Sequence, residues 1–199
     1  MRHLFYCLLF FIVASCSSTK YWDTTAHMVG NMNHPVIPIY KKYENYLNQN
    51  GLIHVSSGVT EQEKEKKIES FHQMTISRSL LTQEKARLLL VNLVNELVDR
   101  INEDEAMRSH LIAHPISSSR IHYTLLMTDE KGGYVPDHDY IAKVTLRDGL
   151  VRYFAHGEVE KINYRPEERQ PEDDPAHIVE LTQEPFREAL KVVKKPEKE

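Results

Sequence analysis

The sequence predicts an α+β fold in which amphipathic helices pack as one layer on a small antiparallel sheet. Apolar residues recur at helical spacing over residues 82–102. Over residues 121–127 the period changes to two, with Ile121, Tyr123, Leu125 and Met127 on one face and His122, Thr124 and Leu126 on the other, which is typical of a half-buried strand. The dipeptide Asp148-Gly149 separates two further alternating segments and fits a type I′ hairpin turn. The order of helix, strands and helix predicts a two-layer domain over residues 60–195.

Composition places the chain among ordinary globular proteins with one domain. The 199 residues are 41% hydrophobic and 27% charged, which is enough apolar material for a core. The net charge is −4, from 25 basic and 29 acidic side chains. Nucleic-acid binding relies on basic residues that neutralise phosphates, so we expect no nucleic-acid partner.

A short helix is predicted over residues 38–50, and a linker follows it up to residue 59. Pro38 suits the first turn of a helix, and Gly51 is a natural stop. Three tyrosines have near-helical spacing, and they either pack onto the domain or present an aromatic face to a partner protein or glycan: Tyr40, Tyr43 and Tyr46. Packing is the favoured interpretation.

A second, highly charged helix is predicted from Thr60 to about Gln73, after a break at residues 56–58. Thr60 and Glu63 fit a capping box. Ile68 and Phe71 are its few apolar residues, so we expect this helix to lie on the surface.

The main core helix is predicted from Thr82, a suitable N-cap, to Asn102. Its apolar stripe is wide enough to cover a sheet and consists of Ala86, Leu89, Leu90, Leu93, Val94, Leu97, Val98 and Ile101. A short turn is expected at residues 104–111.

The sheet is predicted to follow as a meander. Its strands cover residues 121–127, 140–147 and 150–155, and a turn-rich loop with Gly132, Gly133 and Pro136 lies between the first two. Residues 158–164 would extend the meander, and residues 165–175 form a proline-rich, charged loop. An edge strand is expected at residues 177–181, and Thr182 would cap a last helix over residues 184–194. A charged tail covers residues 196–199.

The first 15 residues have the layout of a secretory signal. Arg2 and His3 precede an unbroken apolar run from Leu4 to Ala14, and small residues follow. A membrane-spanning helix needs roughly 20 apolar residues, about twice the length of this run. We therefore expect residues 1–15 to be removed.

The residues Val13-Ala14-Ser15-Cys16 resemble the lipobox of bacterial lipoproteins, although valine stands where the family prefers leucine. The resemblance implies transfer of diacylglycerol to the Cys16 thiol, cleavage between Ser15 and Cys16, and acylation of the new amino terminus. Residues 16–37 would then be a lipidated tether, and the membrane would be a partner through the acyl chains on Cys16. Ser17 is not the aspartate linked to inner-membrane retention, so the family's sorting rule indicates the outer membrane if the host is Gram-negative.

Cys7 and Cys16 are the two cysteines of the chain. Cys7 lies in the leader and would be lost with it. The mature protein would then contain neither a free thiol nor an internal disulfide, which excludes thiol catalysis.

Eleven histidines make a metal site the first enzyme hypothesis. His110 and His114 have the spacing of two ligands on one helix, but Leu111 stands where a zinc hydrolase has its glutamate, and Pro115 would end the helix early. Asp137-His138-Asp139 has the pattern of a base with orienting carboxylates, in a loop where polar residues are common anyway. We predict no catalytic residue, metal site or cofactor from these patterns.

The favoured function is therefore a non-enzymatic, lipid-anchored protein of the cell envelope that binds or organises another envelope component. One alternative is a membrane-tethered, metal-dependent hydrolase that uses His110, His114, His138 or their neighbours. A second alternative is a carrier of a lipid or small ligand, with a cavity between helix and sheet.

Overall fold

The structure, a computed structural model, describes residues 34–62, 64–133, 139–156 and 178–194. Three α-helices and six strands occur in these ranges, in the order α1 (Ile37–Gln49), β1 (Leu52–Gln62), β2 (Lys67–Ser77), α2 (Gln83–Glu103), β3 (Ile121–Met127), β4 (Lys143–Arg147), β5 (Leu150–His156), β6 (Ile178–Pro185) and α3 (Phe186–Lys194). Two short 3-10 helices, Glu105–His110 and Ser118–Arg120, follow α2.

The six strands form one sheet in which their spatial order equals their order in the chain. β1 and β2 form an antiparallel hairpin. β2 and β3 are parallel, and α2 lies in the connection between them, because parallel neighbours need a crossover. β3 to β6 form an antiparallel meander. The fold is α+β, as predicted, but the sheet is larger than expected and contains one parallel pair.

The three helices pack on one face of this sheet. Strand β3 shows the division: Ile121, Tyr123, Leu125 and Met127 are at most 1% exposed, and the residues between them are only half-buried. From α1, Tyr43 and Leu47 join the same core. Burying a large apolar side chain contributes about 1.5–3 kcal/mol, so this layer supplies most of the stability of the described residues.

The main core helix is confirmed. It covers Gln83–Glu103 and buries seven residues: Ala86, Leu90, Val91, Leu93, Val94, Leu97 and Ile101. Leu89 and Val98 of the predicted stripe pack at its margin. Thr82 is the N-cap residue by position, with an extended backbone and no capping hydrogen bond from its side chain.

The predicted surface helix over residues 60–73 is wrong, and so is the linker before it. Residues 52–62 and 67–77 are the strands β1 and β2, and β1 crosses the expected boundary at residue 60. Charged residues are concentrated around the turn at residues 64–66, where they resemble the exposed face of a helix. Polar residues in β2, such as Gln73 and Thr75, are buried because they are hydrogen-bonded, and hydrophobicity patterns do not reveal such burial.

The hairpin between β4 and β5 is confirmed. Asp148 and Gly149 have φ values of 52° and 75°, as both central residues of a type I′ turn require. Gly149 adopts this left-handed conformation without the steric cost that a Cβ would add. β4 begins at Lys143, slightly later than predicted.

The edge strand is also confirmed, but it is longer than predicted. β6 continues to Pro185, and Thr182 pairs with Tyr153 of β5 instead of capping a helix. A proline is tolerated there because an edge strand leaves some backbone groups unpaired. The last helix starts at Phe186.

Several predictions lie outside the described residues. They concern the leader and lipobox, most of the tether, residues 134–138, the segments 158–164 and 165–175, and the tail 196–199. Within the described ranges, none of the helices combines the length and apolarity needed to cross a membrane.

Candidate functional site: the open face of the sheet

The face of the sheet opposite the helices, called here the open face, carries the side chains that alternate with the core residues. No helix in the described ranges packs against it, and most of its side chains are half-buried: Ile53, Met74, Ile76, Thr124, Leu126, Thr145 and Phe154. Lys143 extends over the ring of Phe154, with Nζ 4.4 Å from the ring centroid. The open face is therefore partly apolar and available for contact.

A groove of about 290 Å³ lies on the open face where the hairpin and the meander meet. Its polar lining includes His72, His122, Thr124, Thr145, Arg147 and Arg152. Among the residues that the structure describes, no carboxylate lines it. The lining is thus basic in a chain whose net charge is −4.

His72 and His122 lie side by side in the groove because the parallel register of β2 and β3 pairs them directly. Their rings meet edge to face, with centroids 4.7 Å apart. His72 Nε2 lies 2.7 Å from Thr60 Oγ1. Burial lowers the pKa of His72 to about 4, and the nearby His122 and Arg147 add to this effect. His72 is therefore neutral near pH 7.

His122 has one satisfied and one unsatisfied ring nitrogen. Its Nε2 lies 3.3 Å from Asp148 Oδ1, on the exposed tip of the β4–β5 hairpin. Asp148 Oδ2 also lies 3.7 Å from Nε of Arg147. The Nδ1 atom of His122 is buried and has no hydrogen-bond partner among the described residues. Since buried polar atoms are normally paired, this nitrogen is a candidate contact for an atom of a ligand.

A second polar cluster, at the β1 edge, has the residue types of a catalytic triad. Ser57 Oγ lies 2.6 Å from His54 Nε2, and His54 Nδ1 lies 4.0 Å from Glu44 Oε1. For a serine nucleophile, the hydroxyl must donate its proton to the histidine.

The hydrogen bond between Ser57 and His54 has the opposite direction. Gln73 Nε2 donates to the carbonyl of Met74, which fixes the orientation of the Gln73 amide. Ser57 then donates its only proton to Gln73 Oε1 at 3.0 Å, so His54 Nε2 must donate to Ser57. Burial lowers the pKa of His54, which favours the neutral ring. This cluster is arranged as structural support.

The same chain of hydrogen bonds continues into the core. Gln73 Nε2 donates to Thr75 Oγ1, which lies 2.8 Å from the hydroxyl of Tyr123. Tyr43 completes the chain by donating to the carbonyl of Leu93 in α2. These bonds connect α1, β1, β2, β3 and α2, and hold the sheet beneath the groove.

The tyrosines of α1 pack onto the domain, which confirms the favoured interpretation for Tyr40 and Tyr43. Tyr43 is fully buried, and Tyr40 donates to the carbonyl of Gly58 at 2.6 Å. Tyr46 stacks on Tyr43 and lies beneath the guanidinium of Arg100.

The structure does not bring the histidines of the hydrolase hypothesis together on a helix. His110 is exposed at the end of a 3-10 helix, and the backbone becomes extended at Leu111. His114 Nε2 instead lies 3.4 Å from the carbonyl oxygen of Asn102. In the described ranges, no group of three or more His, Cys, Asp or Glu side chains could hold a metal ion. Asp137 and His138 lie outside those ranges.

Sequence reasoning missed the groove because it placed His72 at the end of a helix and His122 on a strand. The apolar residues Ile68, Phe71 and Met74 recur every three residues, which is closer to a helical period than to the alternation of a strand, so the local pattern gave no signal for β2. No family model, no curated protein and no solved structure matches this chain.

Proposed function

We propose that the protein is a lipid-anchored, non-enzymatic binding protein of the bacterial cell envelope, and that the open face binds an acidic envelope component. The observation that carries this proposal is the basic groove on a sheet whose other face is fully packed. Binding sites are usually concave, partly buried surfaces on which a few polar groups converge.

The charge of the groove favours an acidic partner. Arg147 and Arg152 line it together with two histidines, and the exposed Asp148 at its rim contacts His122 and Arg147. Complementary charge across an interface directs the choice of partner and speeds encounter.

The anchor is supported by the sequence Val13-Ala14-Ser15-Cys16 behind an apolar leader. Acyl chains on Cys16 would hold the domain at a membrane, because each buried CH₂ contributes about 0.8 kcal/mol and two or three chains give firm attachment. A binding domain fixed at a membrane surface meets components of the envelope in preference to soluble ones.

The two alternative functions have less support. The serine of the triad-like cluster is a donor to Gln73 and not to His54, so it is not activated for hydrolysis. The space between helices and sheet, where a lipid carrier would need a cavity, is filled by side chains that are at most 1% exposed, including Tyr43, Phe71, Leu93, Leu97 and Tyr123.

Photocrosslinking in the native envelope tests the proposal. A photoreactive amino acid is placed in the full chain at Thr145, on the open face, and in a matched variant at Asn92, which is exposed on α2. We expect a crosslinked product of defined mass from position 145 only. Combining the Thr145 probe with Arg147→Ala and Arg152→Ala should remove this product. Equal products from both positions, none from position 145, or a product that survives loss of both arginines contradicts the proposal.

A further inference from the structure

We infer that the groove contains an oxyanion site, in which a carboxylate, phosphate or sulfate group is held by Nδ1 of His122 and the guanidinium groups of Arg147 and Arg152. This inference rests on the proposed binding function and names the chemical group that the open face recognises.

The three side chains converge because of the register of the meander. His122 is the second residue of β3, Arg147 ends β4, and Arg152 of β5 pairs with Thr145 of β4. All three line the same groove. Arginine is well suited to carboxylate and phosphate because its planar donors match two oxygens at once. Thr124 and Thr145 add hydroxyl donors to the lining.

The size of the groove fits one such group with a few attached atoms. Its volume of about 290 Å³ is many times the roughly 10–15 Å³ that one water molecule requires on the same measure. The carboxylate of Asp148 contacts His122 through Nε2, on the other side of the ring, so it does not occupy the position at Nδ1.

The tautomer of His122 makes the affinity of the site for an oxyanion depend on pH. Because Nε2 faces a carboxylate, it carries the proton in the neutral ring, and Nδ1 is then a bare lone pair. An oxyanion can accept a hydrogen bond from Nδ1 only when the ring takes up a second proton. Binding of the oxyanion is therefore coupled to proton uptake, and its affinity rises as pH falls.

The charged neighbours of His122 support this coupling. His72 from β2 and Arg147 from β4 lie in the groove with the His122 ring, and Asp148 contacts its Nε2. Arg152 from β5 adds positive charge to the lining of the groove. A bound anion offsets this excess of positive charge.

Sulfate is the best probe, because its charge is constant between pH 5 and 8. Binding to the full chain in neutral detergent is followed by the amide NMR signals of Thr124 and Thr145. We expect saturable shifts, with an affinity at least fivefold higher at pH 5.5 than at pH 7.5. Acetate and glycerol phosphate are compared with sulfate to distinguish a carboxylate from a lipid-type phosphate as the natural group.

Variants identify the residues that hold the anion. Arg147→Ala and Arg152→Ala should each weaken sulfate binding at least fivefold, and His122→Gln should remove the pH dependence. Lys143→Ala is the matched control, because it removes a positive charge from the same face outside the groove; it should change the affinity less than twofold.

Three results would overturn the inference: no saturable shifts, equal effects of the Lys143 and arginine variants, or unchanged pH dependence in His122→Gln. If crosslinking from position 145 still depends on the arginines while sulfate does not bind, the oxyanion site fails and the proposed function stands. If sulfate binds as expected and crosslinking fails, the oxyanion site stands and the proposed function fails.

Discussion

The hydroxyl oxygens of Tyr43 and Tyr123 lie 3.0 Å apart, where helix α1 meets the central strand β3. Tyr43 also donates to the carbonyl of Leu93 in α2 at 2.9 Å, so this pair joins three elements. Burial raises the pKa of Tyr123 well above its usual range, with Thr75 and Tyr43 hydrogen bonds acting in the opposite direction. Both phenols therefore stay neutral and hydrogen-bonded.

Replacing Tyr43 by phenylalanine should lower the free energy of unfolding by about 1–2 kcal/mol, because the buried hydrogen bonds are lost while the ring remains. Urea denaturation of the full chain in neutral detergent measures the change. Tyr46→Phe is the control, since Tyr46 is only half-buried and its ring stacking is retained; it should stay within about 0.5 kcal/mol. Equal effects of the two substitutions would contradict the role of the pair.

The edge strand β6 is tied to the helical layer by Glu184. Its Oε1 accepts hydrogen bonds from the hydroxyl of Tyr153 at 2.5 Å and from Nε of Arg87 at 2.7 Å. Glu184→Gln should destabilise the protein by about 1–3 kcal/mol and speed amide hydrogen exchange along β6, because a charge-assisted contact is lost beside an edge strand.

The control for this prediction is Glu188→Gln, which removes the same charge from α3 at a surface pair with Lys191. It should leave exchange in β6 unchanged and shift stability by less than about 0.5 kcal/mol. Slower or unchanged exchange in Glu184→Gln would show that β6 is held by its backbone pairing alone.

His72 should make the protein less stable in acid. Its pKa is about 4 in the folded chain and about 6.5 when unfolded, so the unfolded chain binds the additional proton first. The contribution of His72 is complete above pH 6.5 and is lost as the pH falls towards 4. Urea midpoints measured between pH 7.5 and 4.5 should fall less steeply in His72→Gln than in the unmodified chain.

The exposed His110 supplies the control, since His110→Gln should leave the slope unchanged. Burial also lowers the pKa values of His54 and His156, so some slope of the same sign should persist in His72→Gln. A slope identical to that of the unmodified chain would show that His72 does not resist protonation.

The turn at Gly149 should tolerate asparagine better than alanine. A Cβ there has open space, with Ser119 Cβ 4.0 Å away as its neighbour, so the cost arises from the backbone alone. Gly149→Ala should destabilise the protein by about 1 kcal/mol, and Gly149→Asn by less, because asparagine adopts left-handed φ more readily. Thermal unfolding measures both, and equal losses would point to a steric cause instead.

The proposed anchor is tested by the mass of the mature protein. Cys16→Ser should abolish fatty-acid incorporation and leave the leader uncleaved, because the thiol is the acceptor in lipoproteins. Cys7→Ser, inside the apolar leader, provides a control with the same substitution and should leave processing and acylation unchanged. An unmodified mature terminus in the natural chain would remove the anchor from the proposal.

The elements that the sequence predicted correctly have one dominant period. Helix α2 has a continuous apolar stripe, β3 has a period of two in which only Leu126 departs from the apolar and polar alternation, and Asp148-Gly149 fits one turn type. In β1 and β2, Ser57, Gln73 and Thr75 occupy positions in the packed layer, where they are satisfied by one another's hydrogen bonds. Such burial depends on partners from neighbouring strands, which a local pattern cannot supply.

The groove was hidden for a related reason. His72 and His122 are adjacent only because β2 and β3 are parallel neighbours, and strand order follows from the whole sheet. The histidines with local spacing, His110 and His114, were the ones that the sequence singled out, and they do not share a helix.

The parallel contact between β2 and β3 divides the sheet into a hairpin and a meander that are each local in sequence. Local pairings form readily, whereas a parallel contact must wait until the intervening chain has been ordered. The groove includes residues from both β2 and β3 and therefore depends on this contact. Recognition through it would consequently be confined to fully assembled molecules, and a partly folded chain emerging at the membrane would present no complete site to its partner.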